Sequence, residues 1–484
     1  MMNQEKTPLL DAVLKYIDEN PVPMHIPSHK LGAGINPKWK DFVGENIFKM
    51  DLSELHGLDD LHQPKEAIKE AQELAADAWG ADKSYFLANG TTSGIVASIC
   101  SIVSEGEKII IPRNAHKSAI FGLIISGATP EYVLPEVDSS RGLICGVLPE
   151  TLEQAYSRAP NAKGVLGINP SYHGICCDLK SLIDITHKNN GIFIADEAHG
   201  NHVYFHEDFP PGALKLGADI SCQSSHKMSG SLTQSSMLHL NSERVNEAFL
   251  KANLQLTQST SPSYILMVSL DSARSYIAME GHDVFGRLLP LIEATKNDLL
   301  SIPGIEVLGK GLIGESGVFD YEPMRIVFSL RALGLEGYDV YDMLRNEYNI
   351  EAEYGDHSYV VCVMGLGTKA EDLSKLHAAV KDISSKNTDG EPLVSTNFRL
   401  PSLPPMKLTP REAWFATHET IPWENAIGKV SAQMITPYPP GIPAICPGEI
   451  VTQEIHDYLN LLNEDGRHMH GPENGILDKL RVVK

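Results

Sequence analysis

The chain has 484 residues, 42% of them hydrophobic and 21% charged, so it is long enough for several domains and has an ordinary globular composition. Its 40 Lys and Arg residues against 62 Asp and Glu residues give a formal charge of −22. This balance excludes a generic polyanion binder, because phosphate backbones are held by clustered cations. Seven scattered cysteines exclude a disulfide framework, and no apolar run is long enough to span a membrane. We expect a cytoplasmic protein without a metal, whose partner is a small molecule and not nucleic acid or membrane.

Short β-rich runs alternate with amphipathic stretches from about residue 60 to residue 280. The predicted strands are Tyr85–Leu87, Lys108–Ile111, Glu131–Leu134, Gly164–Ile168, Ile192–Ala195 and Asp219–Cys222. The predicted helices between them are Pro64–Trp79, Leu148–Arg158 and Lys180–Lys188. This alternation, with nearly continuous apolar strands, predicts an α/β fold with a mostly parallel sheet covered on both faces.

The pattern changes after Gly281. A long helix is predicted at Val284–Leu300, and Thr368 with Glu371 three residues later predicts a capping box at the start of another helix. The predicted elements between them are strands at Ile305–Leu308, Arg325–Ser329 and Tyr359–Met364 and a helix at Tyr338–Tyr348. We therefore predict an N-terminal segment (1–60), a large domain (61–283), a small α+β domain (284–385) and a C-terminal α+β unit (398–484).

Three predicted strand ends carry unusual residue sets, and ligands of open α/β sheets bind beyond such ends. After the first, Thr91, Thr92 and Ser93 lie in a Gly-rich turn that leads into an apolar helix. Such a turn offers N–H groups and hydroxyls to a phosphate, although by itself it is more often a simple helix cap.

The other two strand ends carry ionisable residues. Asp196 and His199 directly follow one buried strand, and Lys227 follows another; singly they are typical of a cap, a loop and a surface charge. Together with the phosphate turn they indicate a site for pyridoxal 5′-phosphate (PLP), which needs a Schiff-base lysine, an acid for the ring nitrogen and a phosphate cradle. His116, after a further strand, is placed to cover the ring face.

Two segments, Asp196–Gly200 and Ser225–Ser236, closely resemble the Orn/Lys/Arg decarboxylase family of bacterial fold-type I PLP enzymes. Further matching segments are His25–Lys30, Leu58–His62, Pro112–Ser118, Thr260–Tyr264 and Tyr438–Glu449. The resemblance covers nearly the whole chain and is greatest to the short arginine decarboxylases that lack an N-terminal wing domain. It implies an aminotransferase-like large domain and a homodimer or higher assembly with sites at the subunit interface.

The resemblance also implies residue roles. Lys227, His226 and His199 are the expected catalytic residues. The expected cofactor-binding residues are Thr91, Thr92, Ser93, His116, Asp196, His199, Ser225, His226 and Lys227, and the candidate substrate contacts are Ser28, His29, His173 and Glu449. The implied reaction is decarboxylation of a basic amino acid, with arginine giving agmatine favoured over lysine or ornithine.

Some positions depart from the family pattern. Ser28 stands where the family usually has glycine, and His173 stands where it has an aromatic residue; His56 and His418 are also unusual. Neutral sequence drift explains each of these departures. If several of these residues line one pocket, however, we expect a different substrate or a different reaction.

Alternative functions remain open at this stage. One is a different PLP reaction on the same scaffold, such as oxidation, elimination or condensation, and another is a catalytically silent regulator. The Gly309–Gly314 segment matches a dinucleotide-binding fingerprint, but no helix is predicted after it, so we reject that function.

Overall fold

The structure is a computed structural model that describes residues 2–393, 400–437, 442–464, 469–472 and 474–484. The chain divides into two compact units. The first comprises Met1–Ser101 and Ala195–Gly286, and the second comprises Ile102–Ile194 and Arg287–Lys484. Within the described ranges, no helix is long and apolar enough to cross a membrane.

The helices follow one another from the N-terminal segment to the C-terminal unit. In chain order they are α1 Pro8–Glu19, α2 Pro37–Val43, α3 Asn46–Met50, α4 Ala67–Trp79, α5 Gly90–Ile102, α6 Lys117–Ser126, α7 Pro149–Arg158, α8 Leu179–Lys188, α9 Ala213–Leu216, α10 Ser225–Met228, α11 Glu247–Thr257, α12 Tyr264–Leu300, α13 Gly337–Tyr348, α14 Ala370–Lys386, α15 Pro410–Phe415 and α16 Gln453–Glu464.

The strands are short. In chain order they are β1 Lys83–Leu87, β2 Lys108–Pro112, β3 Thr129–Val133, β4 Val137–Asp138, β5 Leu143–Ile144, β6 Gly164–Ile168, β7 Ile175–Cys176, β8 Ile192–Asp196, β9 Ile220–Gln223, β10 Ser236–Leu240, β11 Glu306–Val307, β12 Asp320–Tyr321, β13 Arg325–Ser329, β14 Tyr354–Gly355, β15 Val360–Val363, β16 His418–Pro422, β17 Thr436–Pro437, β18 Met469–His470 and β19 Lys479–Val483.

Seven strands form the main sheet in the order β1-β10-β9-β8-β6-β2-β3. In the second unit, β2 pairs in parallel with β3 and β6, and Ile109, Ile110 and Ile111 of β2 are fully buried, as a strand covered on both faces requires. Strand β8 lies at the unit boundary, with its first three residues in the second unit and its last two in the first. The predicted α/β fold with a mostly parallel sheet is confirmed.

One strand of this sheet was not predicted. In the first unit, β10 pairs antiparallel with both β1 and β9, and all five of its residues are buried. Ser236 and His239 interrupt its apolar pattern and conceal the strand in the sequence. His239 can be buried because it has a hydrogen-bond partner: its Nδ1 lies 2.7 Å from Ser84 Oγ on β1.

Beyond the main sheet, the second unit contains a four-stranded sheet, the pair β16-β19 and the short pairs β12-β7, β17-β18 and β4-β5. A four-stranded antiparallel sheet has the order β11-β13-β15-β14 and is accompanied by α13 and α14. In the C-terminal part, β16 pairs antiparallel with β19 around a compact apolar core. That core includes Trp423, Ile435, Ile445, Val451, Ile455, Leu459 and Leu480.

Two helix predictions were wrong in detail. Helix α12 begins at Tyr264, twenty residues before the predicted start, and continues through Gly281 without a break. Its buried face, with Ile277 and Phe285, compensates for the roughly 1 kcal/mol that a glycine costs inside a helix. Helix α14 begins at Ala370, and Asp372, not Glu371, accepts the N–H of the capping residue Lys369. Thr368 Oγ1 accepts the N–H of Gly365 instead.

The rejected dinucleotide fingerprint adopts another structure. Lys310–Leu312 form one turn of 3-10 helix, and the next strand or helix is β12. A dinucleotide site needs a helix directly after the glycines to bind the pyrophosphate, and the described residues after Leu312 lead into a strand instead.

Candidate active site

The turn between β1 and α5 presents a group of hydroxyls in the first unit. Gly90 has a φ of +78°, which favours glycine, and a Cβ there would lie 3.4 Å from the carbonyl oxygen of Gln234. Thr91 Oγ1 lies 2.6 Å from Ser224 Oγ and donates to Ser236 Oγ at 2.9 Å. The structure thus links the predicted phosphate turn to the segment that carries Lys227.

The hydroxyls of Thr92 and Ser93 in the same turn have different surroundings. Ser93 Oγ donates to the carbonyl oxygen of Gly90 at 2.8 Å and is buried, so it closes the first turn of α5. Thr92 is exposed. Of the three predicted phosphate ligands in this turn, Thr91 has the hydroxyl that reaches towards α10.

Strand β9 leads into the short helix α10, which carries the predicted lysine. Ser225 is only 1% exposed, and its Oγ has no hydrogen-bond partner among the described residues. A buried hydroxyl without a partner costs roughly 1–3 kcal/mol, so this position is suited to bind a ligand oxygen. His226 Nδ1 lies 3.0 Å from the carbonyl oxygen of Ser235, so Nδ1 carries the proton and Nε2 is the basic nitrogen.

Lys227 lies close to both predicted residues of β8 and its following loop. Its Nζ lies 3.0 Å from Nε2 of His199, and its charge interacts with the carboxylate of Asp196. Asp196 accepts the N–H of Ala198 at 3.1 Å. Burial raises the pKa of Asp196, while this hydrogen bond and Lys227 oppose the increase. The structure therefore brings Asp196, His199 and Lys227 together.

Glu197 is a buried residue whose role was missed in the sequence. Its carboxylate accepts four hydrogen bonds, from Tyr204 Oη (2.6 Å), Ser221 Oγ (2.5 Å), Gln223 Nε2 (3.1 Å) and the N–H of Ala213 (2.8 Å). Burial raises its pKa, and the hydrogen bonds oppose that shift. Glu197 thereby ties the loop after β8 to β9. An acidic residue directly after a buried strand was the available signal.

These residues fit the binding of PLP. A phosphate needs hydroxyl and N–H donors, and the site provides the unpartnered Oγ of Ser225, the hydroxyl of Thr91 and the first turn of α5. A pyridine nitrogen needs an anionic acceptor, and the carboxylate of Asp196 accepts a single hydrogen bond among the described residues. Lys227 supplies the amine for a Schiff base.

His116, the predicted ring-stacking residue, lies in the second unit. It is the N-cap of α6, where its Nδ1 accepts the N–H of Ser118 at 3.3 Å and lies 2.9 Å from Ser118 Oγ. The residue is exposed, and its role over a cofactor remains a prediction.

Ser28 and His29 lie in the N-terminal part of the first unit. Ser28 is exposed and is not among the residues with positive φ, so the absence of the family's glycine strains nothing there; Lys30 and Leu31 adopt the left-handed conformation instead. His29 Nδ1 accepts the N–H of Gly32, which makes Nε2 the donor to Asp51 Oδ2 at 3.1 Å.

His173 and Glu449 lie in the second unit, each with a protein partner. His173 Nε2 lies 3.1 Å from Asp356 Oδ2, and His173 lines a cavity of about 110 Å³. The carboxylate of Glu449 is 1% exposed and binds Arg113 through both oxygens, at 2.5 and 2.8 Å. Glu449 is thus engaged in an internal ion pair, and its contact with substrate remains a prediction.

Two other sequence features have local structural roles. Asp59, in the Leu58–His62 motif, accepts the N–H groups of Lys65, Glu66 and Ile68 at 2.8–3.0 Å and so satisfies the start of α4. His418 Nε2 lies 2.8 Å from the carbonyl oxygen of Ala413. The first four residues of the Tyr438–Glu449 motif lie outside the described residues.

Comparison with known proteins identifies the family. The model of "Orn/Lys/Arg decarboxylase, major domain" matches residues 7–330, and that of its C-terminal domain matches residues 393–476. The chain belongs to the Orn/Lys/Arg decarboxylase family. It is a PLP-dependent amino-acid decarboxylase, as the sequence predicted.

Relatives in this family match over the full length. Arginine decarboxylases of Halalkalibacterium halodurans and Bacillus subtilis are each 39% identical to this chain, with all of this chain and 99% of each relative covered. Among solved structures, the Francisella novicida lysine decarboxylase LdcF has a TM-score of 0.85 at 22% identity, covering 100% of this chain and 82% of that one. The ureidoglycine–glyoxylate aminotransferase of Bacillus subtilis has a TM-score of 0.56 at 13% identity, covering 72% and 91%. These structures support the fold-type I assignment.

Proposed function

We propose that this decarboxylase converts arginine to agmatine and CO2. The observation that supports arginine is the 39% identity, over the whole chain, to two proteins named arginine decarboxylase. The family description admits ornithine and lysine as well, so the substrate is the part of the proposal that needs direct measurement. In the net reaction the bond from Cα to the carboxylate breaks, CO2 leaves and a proton takes its place on Cα.

The roles of the site residues are part of the proposal. When bound, PLP supplies the electron sink for cleavage of the bond at Cα. Lys227 holds the cofactor covalently, and Asp196 holds the protonated ring nitrogen. Ser225 and Thr91 hold the phosphate, supported by the hydroxyl contacts between Thr91, Ser224 and Ser236.

The proton that returns to Cα comes from Lys227 or His226. Lys227 Nζ is hydrogen-bonded to His199 Nε2, so His199 can orient the amine and share its proton. His226 is held with Nδ1–H donating to the carbonyl oxygen of Ser235, which fixes the ring and leaves Nε2 as its acid–base atom. Lys227 and His226 are thus the two candidate proton donors, and substituting each in turn can distinguish them.

The test uses the holoenzyme with arginine, lysine and ornithine in parallel, and follows CO2 release and the amine product by mass spectrometry. We expect agmatine to form faster than cadaverine or putrescine. Faster formation of either of these would overturn the choice of arginine, and an oxo acid or O2 consumption would overturn decarboxylation.

The role of Lys227 is tested separately from activity. Borohydride reduction should leave the cofactor attached to the peptide that contains Lys227. Lys227→Ala should remove that adduct and lower kcat by at least ~10³-fold. Lys251→Ala is the matched control, because Lys251 is an exposed lysine in the same unit, paired with Glu247. An adduct on any other lysine would contradict the assignment.

We also propose that the working form is a homodimer or a larger assembly of the same chain, in the cytoplasm, in a route that forms polyamines. The N-terminal segment exposes large apolar side chains, which association would cover. They include Val22, Met24, Ile26, Trp39 and Phe42. Sedimentation of the purified protein tests the assembly, and a monomer at micromolar concentration would contradict it.

A further inference from the structure

Two histidines and a carboxylate meet on the surface of the first unit, apart from the groups assigned to the cofactor. His206 and Glu207 lie in the loop between β8 and α9, and His282 lies on α12. Their ligand atoms all fall within 4.8 Å of one another. His282 Nε2 is 3.0 Å from Glu207 Oε2, and His206 Nδ1 is 4.0 Å from the same oxygen.

The nitrogen atoms that face the carboxylate are suited to bind a cation. His206 Nδ1 accepts the N–H of Asp208 at 3.2 Å, so that nitrogen is unprotonated, and a bound cation would take the place of this hydrogen bond. His282 directs Nε2 at Glu207, while its Nδ1 lies 3.5 Å from Asp283 Oδ1. A carboxylate beside the second nitrogen is the arrangement that orients a metal-bound histidine.

One ligand of the three is fixed and two can adjust. The side chain of His206 is only 8% exposed, and its Nε2 packs against α12 at Gly286, where a Cβ would lie 3.4 Å away. The side chains of His282 and Glu207 are 64% and 72% exposed. Zinc binds imidazole nitrogen at about 2.0–2.1 Å, which puts tetrahedral ligands ~3.3 Å apart. Rotation of the two exposed side chains would have to shorten the present separations of up to 4.8 Å to that spacing.

We propose that His206, Glu207 and His282 bind one divalent transition-metal ion, Zn²⁺ by preference, with water completing the coordination. The second imidazole, that of His206, stacks on the first at a centroid distance of 4.8 Å and an angle of 27°, so both rings lie beside the carboxylate of Glu207. Asp208 Oδ2, 3.8 Å from His206 Nδ1, adds negative charge around the ion. Two histidines and one carboxylate form a ligand set that zinc uses.

The proposed ion links two elements of the chain. It would join the loop that follows the predicted cofactor-binding residues Asp196 and His199 to the long helix α12. Because an ion that binds only the folded protein stabilises it, Zn²⁺ should raise the melting temperature of the protein.

The test measures Zn²⁺ binding to the holoenzyme by calorimetry and by metal analysis after dialysis. We expect one equivalent per chain, with binding weakened at least ~tenfold in His282→Ala and Glu207→Ala. Both side chains are exposed, so these variants should fold normally. His56→Ala, which removes an exposed histidine elsewhere in the same unit, is the control and should bind like the wild type. The seven cysteines are buried and do not compete.

A second measurement distinguishes this site from binding elsewhere. Zn²⁺ should raise the melting temperature of the wild type and leave that of His282→Ala unchanged, and Co²⁺ in its place should give the visible bands of a four-coordinate ion. Absence of Zn²⁺ binding below about millimolar concentration, or equal binding by His282→Ala and the wild type, would overturn the proposal. Neither readout depends on arginine decarboxylation.

Discussion

The buried ionisable groups around Lys227 in the first unit differ from those around Arg113 in the second. Arg113 binds both oxygens of Glu449 and the carbonyl oxygen of Ala444, and Glu449 also accepts the N–H of Cys446 at 2.7 Å. Residues of the second unit therefore supply the hydrogen-bond partners of both Arg113 and Glu449. Near Lys227, by contrast, Ser225 Oγ has no partner among the described residues, and Asp196 accepts one hydrogen bond.

The same difference separates two neighbouring carboxylates. Glu197 accepts four hydrogen bonds and Asp196 accepts one, although both are buried and burial raises the pKa of both. A buried polar group with complete partners stabilises the fold, and one with incomplete partners is free to bind a ligand. The comparison favours a structural role for Glu197 and for the Arg113–Glu449 pair, and it supports the proposal that Asp196 binds the cofactor.

The largest effect on stability is expected when the Arg113–Glu449 pair is broken. Arg113→Ala leaves the carboxylate of Glu449 buried without its cation and should lower the free energy of unfolding by about 3–5 kcal/mol. Urea unfolding measures this. Lys251→Ala, which breaks the exposed pair with Glu247, is the control and should cost less than ~1 kcal/mol. If the two variants lost equal free energy of unfolding, the buried Arg113–Glu449 pair could not be regarded as a structural element of special importance.

Asp196→Asn tests the buried carboxylate that accepts a single hydrogen bond among the described residues. The amide cannot balance a protonated ring nitrogen, so we expect kcat to fall by ~10²–10³-fold and the absorbance of the bound cofactor to change. Stability should change little, since the variant also relieves the burial of a charge. Unchanged absorbance together with wild-type kcat would exclude Asp196 as the ring-nitrogen partner.

Lys296 tests a buried cation whose hydrogen bond goes to a carbonyl oxygen and which has no carboxylate at salt-bridge distance among the described residues. It is 4% exposed, donates to the carbonyl oxygen of Pro323 at 2.9 Å, and burial lowers its pKa to about 8. The unfolded chain then binds more protons between about pH 8 and pH 10.5, so stability from this group rises with pH across that window. Lys296→Met should be more stable than the wild type below pH 8, by up to ~3 kcal/mol, and the advantage should vanish near pH 10.5. A difference that does not depend on pH would show that the pKa of Lys296 is the same in the folded and the unfolded chain.

Glu197→Gln should have a smaller effect on kcat than Asp196→Asn and completes the comparison with Asp196. The amide nitrogen would face a donor, so we expect a loss of about 1–3 kcal/mol in the free energy of unfolding. The absorbance of the cofactor should stay as in the wild type, and kcat should fall less than ~tenfold. If Glu197→Gln instead matched Asp196→Asn in absorbance and kcat, Glu197 would belong to the cofactor site.

Much of the candidate site could be anticipated from the sequence because its residues directly follow buried apolar strands. The positions of Thr91, Asp196, His199 and Lys227 were expected on that basis, and they lie together in the first unit. Ser224, Ser236 and Glu197 were not expected. Their roles depend on contacts with residues 7 to 145 positions away in the chain, and no local pattern marks such contacts.

The sequence by itself determined the α/β class, most of the strands of the sheet, the family and the PLP chemistry, because apolar periodicity and short motifs are local properties. Tertiary structure decided which buried charged groups receive a full set of hydrogen-bond partners. Arg113 and Glu449 are 336 positions apart, yet they form a bidentate pair. It also placed His282 of α12 beside Glu207, 75 positions earlier. Desolvation and hydrogen bonding depend on which side chains meet, and only the folded chain specifies that.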